Sequence, residues 1–471
     1  MTRINTNIPS IVATNRLGAN QRDLNLRLER LSTGLRINTG RDDPAGLIAS
    51  ETLRSEIKGI TQAIDNSQRV INVLSTAEGA LNEVSALLIE IRGLINKSAN
   101  RGALSDSEIR ANQLQIDSLL ESVDRIAGGT QFGGNKLLNG NLSYRTSGVS
   151  NTEIAGTQIF GARVPSNGTL GVRVNVIAIA ERATQSFSGG TITEDITIQL
   201  TGNGGSQVFN FQSGETVGAI ASAINQFTSF TGVQAVAGGG GIELQSEEYG
   251  SGEFVRVKSL EGNFIAAQGQ EVEDAGADVG ATINGQTAFG EGLKLSIRAA
   301  GLDMEAELTE SMATAIGSTT FNITGGGALF QIGPDVSSNG QISIGLPSMS
   351  TSNLGDNVVG LLSTIAQGGV ADLLGADETG EAAEKIIKKA INQVAIIRGR
   401  LGGLQKNQIE TNINSQQIAL ENVKAAESII RDADMAVEIS ALTRAQILVQ
   451  TGLSTLALAN QIPQSVLSLL G

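Results

Sequence analysis

The chain has 471 residues and carries 33 Lys+Arg against 47 Asp+Glu, a formal net charge of −14 that repels nucleic acid and acidic membrane surfaces. It contains no His and no Cys, which removes thiol nucleophiles, disulfides, zinc sites with nitrogen or sulfur ligands, and every Ser-His or Cys-His constellation. A conventional hydrolase or metalloenzyme is therefore disfavoured, no cofactor is expected, and 3% aromatics leave too few rings for a nucleotide-stacking platform or a carbohydrate cleft.

The length allows about three or four domains with real cores. The start, Met1 to Ser10, has no apolar region behind a basic stretch, so a secretory signal peptide is not expected and any export must use a route without a cleaved leader. Ile4 to Asn15 is free of charge and carries Ile4, Ile8, Ile11 and Val12, an end that looks buried where the ends of soluble domains usually fray. Leu17, Leu24, Leu28, Leu31 and Leu35 then follow the three-and-four spacing of a helix-helix seam. Gly34 and Gly40 interrupt it, and Asp42-Asp43-Pro44 offers a turn with Pro near the first position of the next helix. That helix is long: Leu53, Ile57, Ile60, Ile64, Ile71, Leu74, Leu81, Leu88 and Ile95 keep close to a heptad repeat, and Ser98 to Gly102 ends it. A second helix is predicted from about Ser105 to Ile126, with Ile109, Ile116, Leu119, Leu120 and Val123 on one side and Gly128-Gly129 closing it.

From Gly133 to about residue 350 glycine clusters, Thr, Val and alternating patterns dominate. Thr191 to Leu200 alternates, Gly202 to Gly205 turns the chain, and Val208, Phe209 and Phe211 complete a predicted hairpin. Val217, Ile220, Ala221 and Ile224 mark a short helix, followed by strands at Val233 to Val236 and Ile242 to Leu244. Gly238 to Gly241 has no Gly-Lys-Ser/Thr after it, so a hairpin tip is the better reading than a phosphate loop. The acidic run Glu271 to Asp278 lacks an EF-hand pattern and reads as a solvated loop rather than a cation site. Asp42-Asp43 and the Asp432/Asp434 pair read as helix caps and surface charge rather than acid-base catalysts.

Helical periodicity returns from about Glu381 through Ile386, Ala390, Val394, Ile397, Leu401 and Leu404. It continues into a tail in which Leu442, Val449, Leu453 and Leu456 extend the seam, and the 27 residues after Arg444 carry no charge. A helix that is apolar on nearly every side must be buried in something. Gln450, Asn460, Gln461, Pro463 and Gln464 make the stretch a poor membrane span, so it reads as a packing helix without membrane insertion. The whole is expected to be a re-entrant antiparallel coiled-coil or helix-bundle rod, mainly α at both chain ends, with a central β-rich α+β insertion domain.

Leu31-Ser-Thr-Gly-Leu-Arg-Ile-Asn-Thr-Gly-Arg-Asp-Asp-Pro-Ala-Gly-Leu47 closely resembles the N-terminal signature of bacterial flagellins, and Thr130 to Leu138 resembles the segment after their second helix. Leu442 to Gln450 and Ala459 to Leu470 resemble their C-terminal end. More weakly, Thr191 to Ser246 resembles an insertion module of some flagellins and hook-associated proteins, and Phe330 to Asp335 is similar to a segment many flagellins place before the returning helix.

The resemblance implies a structural subunit of the bacterial flagellar filament, exported unfolded by the flagellar type III apparatus and polymerised into a helical homopolymer for swimming motility. It also implies a flagellar export chaperone on the C-terminal helix, and filament cap and hook-filament junction proteins as partners. A hook-filament junction protein of the same family is the alternative. Mapped onto this chain, 1–45 and 421–471 would be inner core, 46–180 and 300–420 shell, and 181–299 the surface-exposed domain. The polymerisation seams would run through Leu17, Leu24, Leu28, Leu31 and Leu35 and through Leu442, Val449, Leu453 and Leu456. Some family members are recognised by an innate receptor through an Arg-x-Arg-Glu-Leu core. Here the stretch is Glu90-Ile91-Arg92-Gly93-Leu94, in which Arg92 and Leu94 match, Glu90 reverses a charge and Gly93 removes one, so weak recognition is expected. Peptidase insertions of some flagellins need a His-Glu-x-x-His site, which a chain without His cannot form. An additional binding role for 181–299 would need a ligand of its own.

Overall fold

A computed structural model describes residues 6–165, 168–238, 240–299, 301–356, 358–375 and 378–468. Its helices are α1 (Ile8–Thr33), α2 (Pro44–Ser98), α3 (Asp106–Gly129), α4 (Val217–Asn225), α5 (Thr228–Thr231), α6 (Glu310–Ala313), α7 (Glu378–Leu404), α8 (Glu410–Arg431) and α9 (Met435–Ser468), with a π-helical turn at Gln405–Ile409. Helices at both ends thus bracket a strand-rich centre, as expected. The chain forms two compact units, one of residues 1–71, 331–341 and 406–471, the other of 72–330 and 342–405.

In the first unit, Asn7 caps α1 by accepting the Ser10 N–H, and Gly34 ends it with φ 73° while its N–H reaches the Arg30 carbonyl. Glycine enters that left-handed region without steric cost. Leu35 therefore lies beyond the helix that was expected to carry it, in an isolated antiparallel bridge with Asp432. The aspartates are caps, as expected: Asp43 accepts the Gly46 N–H at the start of α2, and Asp434 accepts those of Ala436 and Val437 at the start of α9. Residues 331–341 lie against α2 and α8. There Asn412 Nδ2 donates to the Ile332 carbonyl at 2.8 Å, and a Cβ on Gly59 would stand 3.3 Å from the Pro334 carbonyl oxygen.

In the second unit the heptad positions of α2 are the buried ones: Leu74, Ala77, Leu81, Val84, Leu88, Ile91 and Ile95. They share the helical layer with Ile109, Ile116, Leu120 and Val123 of α3 and with Ile386, Ala390, Val394, Ile397 and Leu401 of α7, also buried. A capping box of Ser105 and Glu108 starts α3. Buried Gln113 is satisfied by the Ile365 carbonyl and the Leu373 N–H. Burying its amide otherwise would cost on the order of 1–3 kcal/mol.

Two antiparallel sheets enclose one β core. The first places Gln286–Thr287, Gly280–Ile283, Leu170–Ala178, Ser318–Gly326 and Tyr144–Ser147 side by side, and the second Phe289–Glu291, Lys294–Ala299, Leu302–Leu308 and Ile154–Ala162. A separate core holds the insertion: Ile196–Gly202 pairs with Ser206–Phe211 as the predicted hairpin, α4 lies where predicted, and Val233–Gly238 pairs with Gly241–Ser246 around the glycine tip. This second cluster runs from Ala183 to Phe264 with Val272 packed on it, whereas Val279 to Ile297 belong to the first cluster. The insertion's own core therefore ends well before residue 299.

The acidic run is not the solvated loop expected from composition. Glu271–Ala275 is a strand paired with Phe254–Glu261, in which Val272 packs inward while Glu271 and Glu273 flank Arg256 at 3.1 and 2.5 Å. Period-two alternation and a cross-strand guanidinium turn a charged segment into a sheet edge.

Candidate self-association surface

The outward-turned chemistry of this protein lies on α1 and α9, which pack side by side. Asn7 donates to the Ala459 carbonyl, Asn20 to the Leu448 carbonyl, and Arg27 to Glu438, so as one helix advances the other retreats and the pair is antiparallel. The inward residues of α9 are Glu438, Leu442, Ala445, Val449, Gly452, Leu456 and Ala459, and those of α1 are Ala13, Leu17, Asn20, Leu24, Arg27 and Leu31. Both series step by three and four, the spacing of a coiled-coil seam. The helices approach closely where Gly452 meets Leu17: a Cβ on Gly452 would stand 3.3 Å from Leu17 Cδ1.

Six of the nine residues assigned to polymerisation seams from sequence, Leu17, Leu24, Leu31, Leu442, Val449 and Leu456, lie on the facing sides of the two helices. Leu28 is 47% exposed and Leu453 54%, so these two face away from the partner helix. They join Ile8, Ile11 and Val12 of α1 and Val437, Ile439, Ile447, Leu448 and Leu458 of α9, all exposed. Each helix is thus apolar on two sides, and the pair covers only one of them.

Sequence reasoning missed the charged members of the seam. Glu438 lies between Arg27 Nη1 at 3.0 Å and Arg30 Nη1 at 3.2 Å, with its own side chain only 7% exposed. The Glu438 carboxylate raises the Arg27 guanidinium above its ordinary range against the opposing effect of burial. The available signal was positional, since Glu438 precedes Leu442 and Ala445 by four and seven residues and so occupies an apolar seam position.

The proposed receptor surface lies on α2. Glu90 is exposed and meets Gln115, Leu94 is half-buried, and Arg92 Nη2 is 3.6 Å from Glu384 of α7. Elsewhere in the second unit a cleft of about 1040 Å³ opens between the sheet carrying Lys294 and Glu305 and helix α7. Lys389 spans it, 3.4 Å from Glu307 and 2.5 Å from Asp356. Among the described residues there is no cluster of three or more acidic groups arranged to hold a metal ion, and no helix is long and apolar enough to cross a membrane.

Comparison with known proteins agrees with this layout. Residues 4–143 match the bacterial flagellin N-terminal helical region, 385–470 the bacterial flagellin C-terminal helical region, and 186–248 the flagellin hook IN motif. Flagellin B of Vibrio cholerae is 31% identical over 469 residues, covering 99% of both chains. Flagellin of Salmonella typhimurium is 30% identical over 518 residues, again covering 99% of both. Among solved structures, the flagellar junction protein FlgL from Legionella pneumophila aligns at 14% identity and a TM-score of 0.30, over 81% of this chain and 99% of that one. FliC from Burkholderia pseudomallei aligns at 16% identity and a TM-score of 0.22, over 71% and 98%. The full-length sequence relationship is decisive: the chain belongs to the bacterial flagellin family.

Proposed function

We propose that this chain is the repeating subunit of an extracellular flagellar filament, polymerising by burying the outer apolar sides of α1 and α9 against copies of itself. The observation that carries this reading is the row of half-exposed Ile, Val and Leu residues on both helices, from Ile8 and Val12 to Leu453 and Leu458. Covering the half of each such side chain that is still exposed is worth roughly 1 kcal/mol. A closed helical array of identical subunits covers all of them at once, and heterologous contacts of one surface with another build such an array. In this reading 1–45 and 421–471 form the inner core, 46–180 and 300–420 the shell, and 181–299 faces the medium. The C-terminal helix is the segment an export chaperone shields before assembly, and cap and junction proteins meet the filament at its ends.

The test is electron microscopy of the purified full-length chain with short filament seeds, beside a variant lacking 1–45 and 421–471. Filaments from the full-length chain alone support the reading. A full-length chain that stays monomeric under seeding rejects it and favours a hook-filament junction role.

A further inference from the structure

We propose that Glu438, held by Arg27 and Arg30, sets the register in which α1 and α9 pair, acting as a positioning residue for the self-association surface. The inference deepens the filament reading, because the register decides how the outer apolar residues of the two helices line up.

The apolar seam does not specify one register. Leu17 sits on Gly452. Seven residues forward on α1 and seven back on α9 bring Leu24 level with Ala445 and Leu31 level with Glu438. Slide the helices by one heptad and Leu17 meets Ala459, Leu24 meets Gly452 and Leu31 meets Ala445. In the slipped arrangement all three leucines face Gly or Ala, whereas in the native one Leu17 and Leu24 do and Leu31 faces Glu438, so apolar packing alone does not favour the native register.

The remaining cross-helix contacts discriminate weakly. Asn7 and Asn20 donate to backbone carbonyls of Ala459 and Leu448, an acceptor that every residue offers. The bond from Ser10 Oγ to Asn460 Oδ1 is exposed. Beyond the helix end, Arg36 N–H donates to the Arg431 carbonyl, the Arg36 guanidinium to the Ile430 carbonyl and Ala433 N–H to the Gly34 carbonyl, all with backbone acceptors that every residue offers.

Glu438 is different. It is buried, it accepts from two guanidinium groups, and a heptad slip carries it roughly 10 Å from both along the helix. The slip carries Glu438 past Thr33, the end of α1, and brings Arg27 level with Val449, so both ion pairs are lost and a half-buried guanidinium faces an apolar side chain. One polar position in an apolar seam commonly fixes register in this way.

The absence of Cys from the chain makes a direct test available. A Cβ on Gly452 would lie 3.8 Å from Leu17 Cβ, the spacing of a disulfide. Leu17→Cys with Gly452→Cys reports the native register, and Leu24→Cys with Gly452→Cys reports the slipped one. Each pair is oxidised in the full-length chain, with and without Glu438→Gln, and the yields are compared. The expected result is a rise of at least about tenfold in the ratio of slipped to native cross-link, a lower limit for loss of a buried charge pair.

Arg27→Gln with Arg30→Gln should reproduce the shift, and Glu438→Asp should largely restore the native ratio. An unchanged ratio in Glu438→Gln overturns the proposal. Equal loss of both cross-links also overturns it, because the cluster would then hold the helices together without choosing their register. Microscopy of the same samples separates the two readings: shifted cross-links without wild-type filaments keep the register assignment and reject the filament role.

Discussion

Arg400 lies over the ring of Phe160, its guanidinium carbon 3.7 Å from the ring centroid, and from that position reaches Asp303 at 2.8 Å and also Glu305. One side chain of α7 thereby fastens the helix to two strands, Ile154–Ala162 and Leu302–Leu308. A planar fork can stack and form ion pairs at the same time, whereas an ammonium cannot. Arg400→Ala is expected to lower the stability of this unit by about 1–3 kcal/mol, discounted for the partial exposure of both carboxylates, with Arg400→Lys recovering less than half. Urea unfolding monitored on both variants measures it, and equal stability of Lys and Arg at this position would refute the stacked geometry.

The pair of Asp356 and Lys389 predicts a pH dependence. Burial alone would raise the Asp356 carboxyl, but the Lys389 ammonium and the N–H groups of Val359 and Val358 outweigh it and hold the group below its ordinary range. Burial likewise opposes the Lys389 charge, and Asp356 and Glu307 outweigh it and raise that group. The depressed carboxyl contributes stability that is present above the unfolded value of about 3.9 and lost as pH falls through the lower folded value. The raised ammonium contributes stability that is present below about 10.4 and lost as pH rises through the higher folded value. Denaturant midpoints should therefore stay level near neutrality and drop at both extremes. Asp356→Asn should lower the neutral plateau and flatten the acid limb; an acid limb of unchanged depth would remove Asp356 as its source.

The helices were legible in the sequence because Leu74, Leu81, Leu88 and Ile95 repeat every seven residues and nothing else in that stretch competes with the pattern. Leu35 fitted the spacing of α1 but lies outside it, since Gly34 adopts a positive φ and a periodicity count does not register where the backbone turns. The strand at Glu271–Ala275 was hidden by its charge: the carboxylates are tolerated there because Arg256 stands across the pair. Glu438 was hidden for the opposite reason. A search for apolar seams passes over a carboxylate, and its partners lie more than four hundred positions away, a contact only the fold reveals.

Leu28 and Leu456 should respond differently to aspartate, although both were read as seam residues. Leu28 is exposed on the outer side of α1, so Leu28→Asp should leave the chain's own stability within about 0.5 kcal/mol. It should nonetheless block polymerisation, because the assembled array would bury a charge. Leu456 lies on the inner side, and Leu456→Asp should loosen the α1 and α9 pair as well. Sedimentation of seeded samples, with hydrogen exchange across 181–299 as a control for folding, reads both effects. Normal filaments from either variant would count against polymerisation through these helices.

Recognition by the innate receptor should be weak for a reason that goes beyond the two mismatched residues. Arg92 matches the receptor core in identity, yet its guanidinium lies 3.6 Å from Glu384. That carboxylate is held ionised below its ordinary range, chiefly by Lys388 and further by Arg92 itself. A receptor must compete with this partner for Arg92 while also meeting the wrong charge at exposed Glu90. Charge reversal in an interface costs several kcal/mol, so potency in a reporter-cell assay should fall far below that of a flagellin carrying the full core. Glu90→Arg with Gly93→Glu should restore at least about tenfold, and adding Glu384→Gln should raise potency again by freeing Arg92. High potency from the unmodified chain would reject the charge argument, and no gain from the third substitution would show that the Arg92 pairing is too weak to matter.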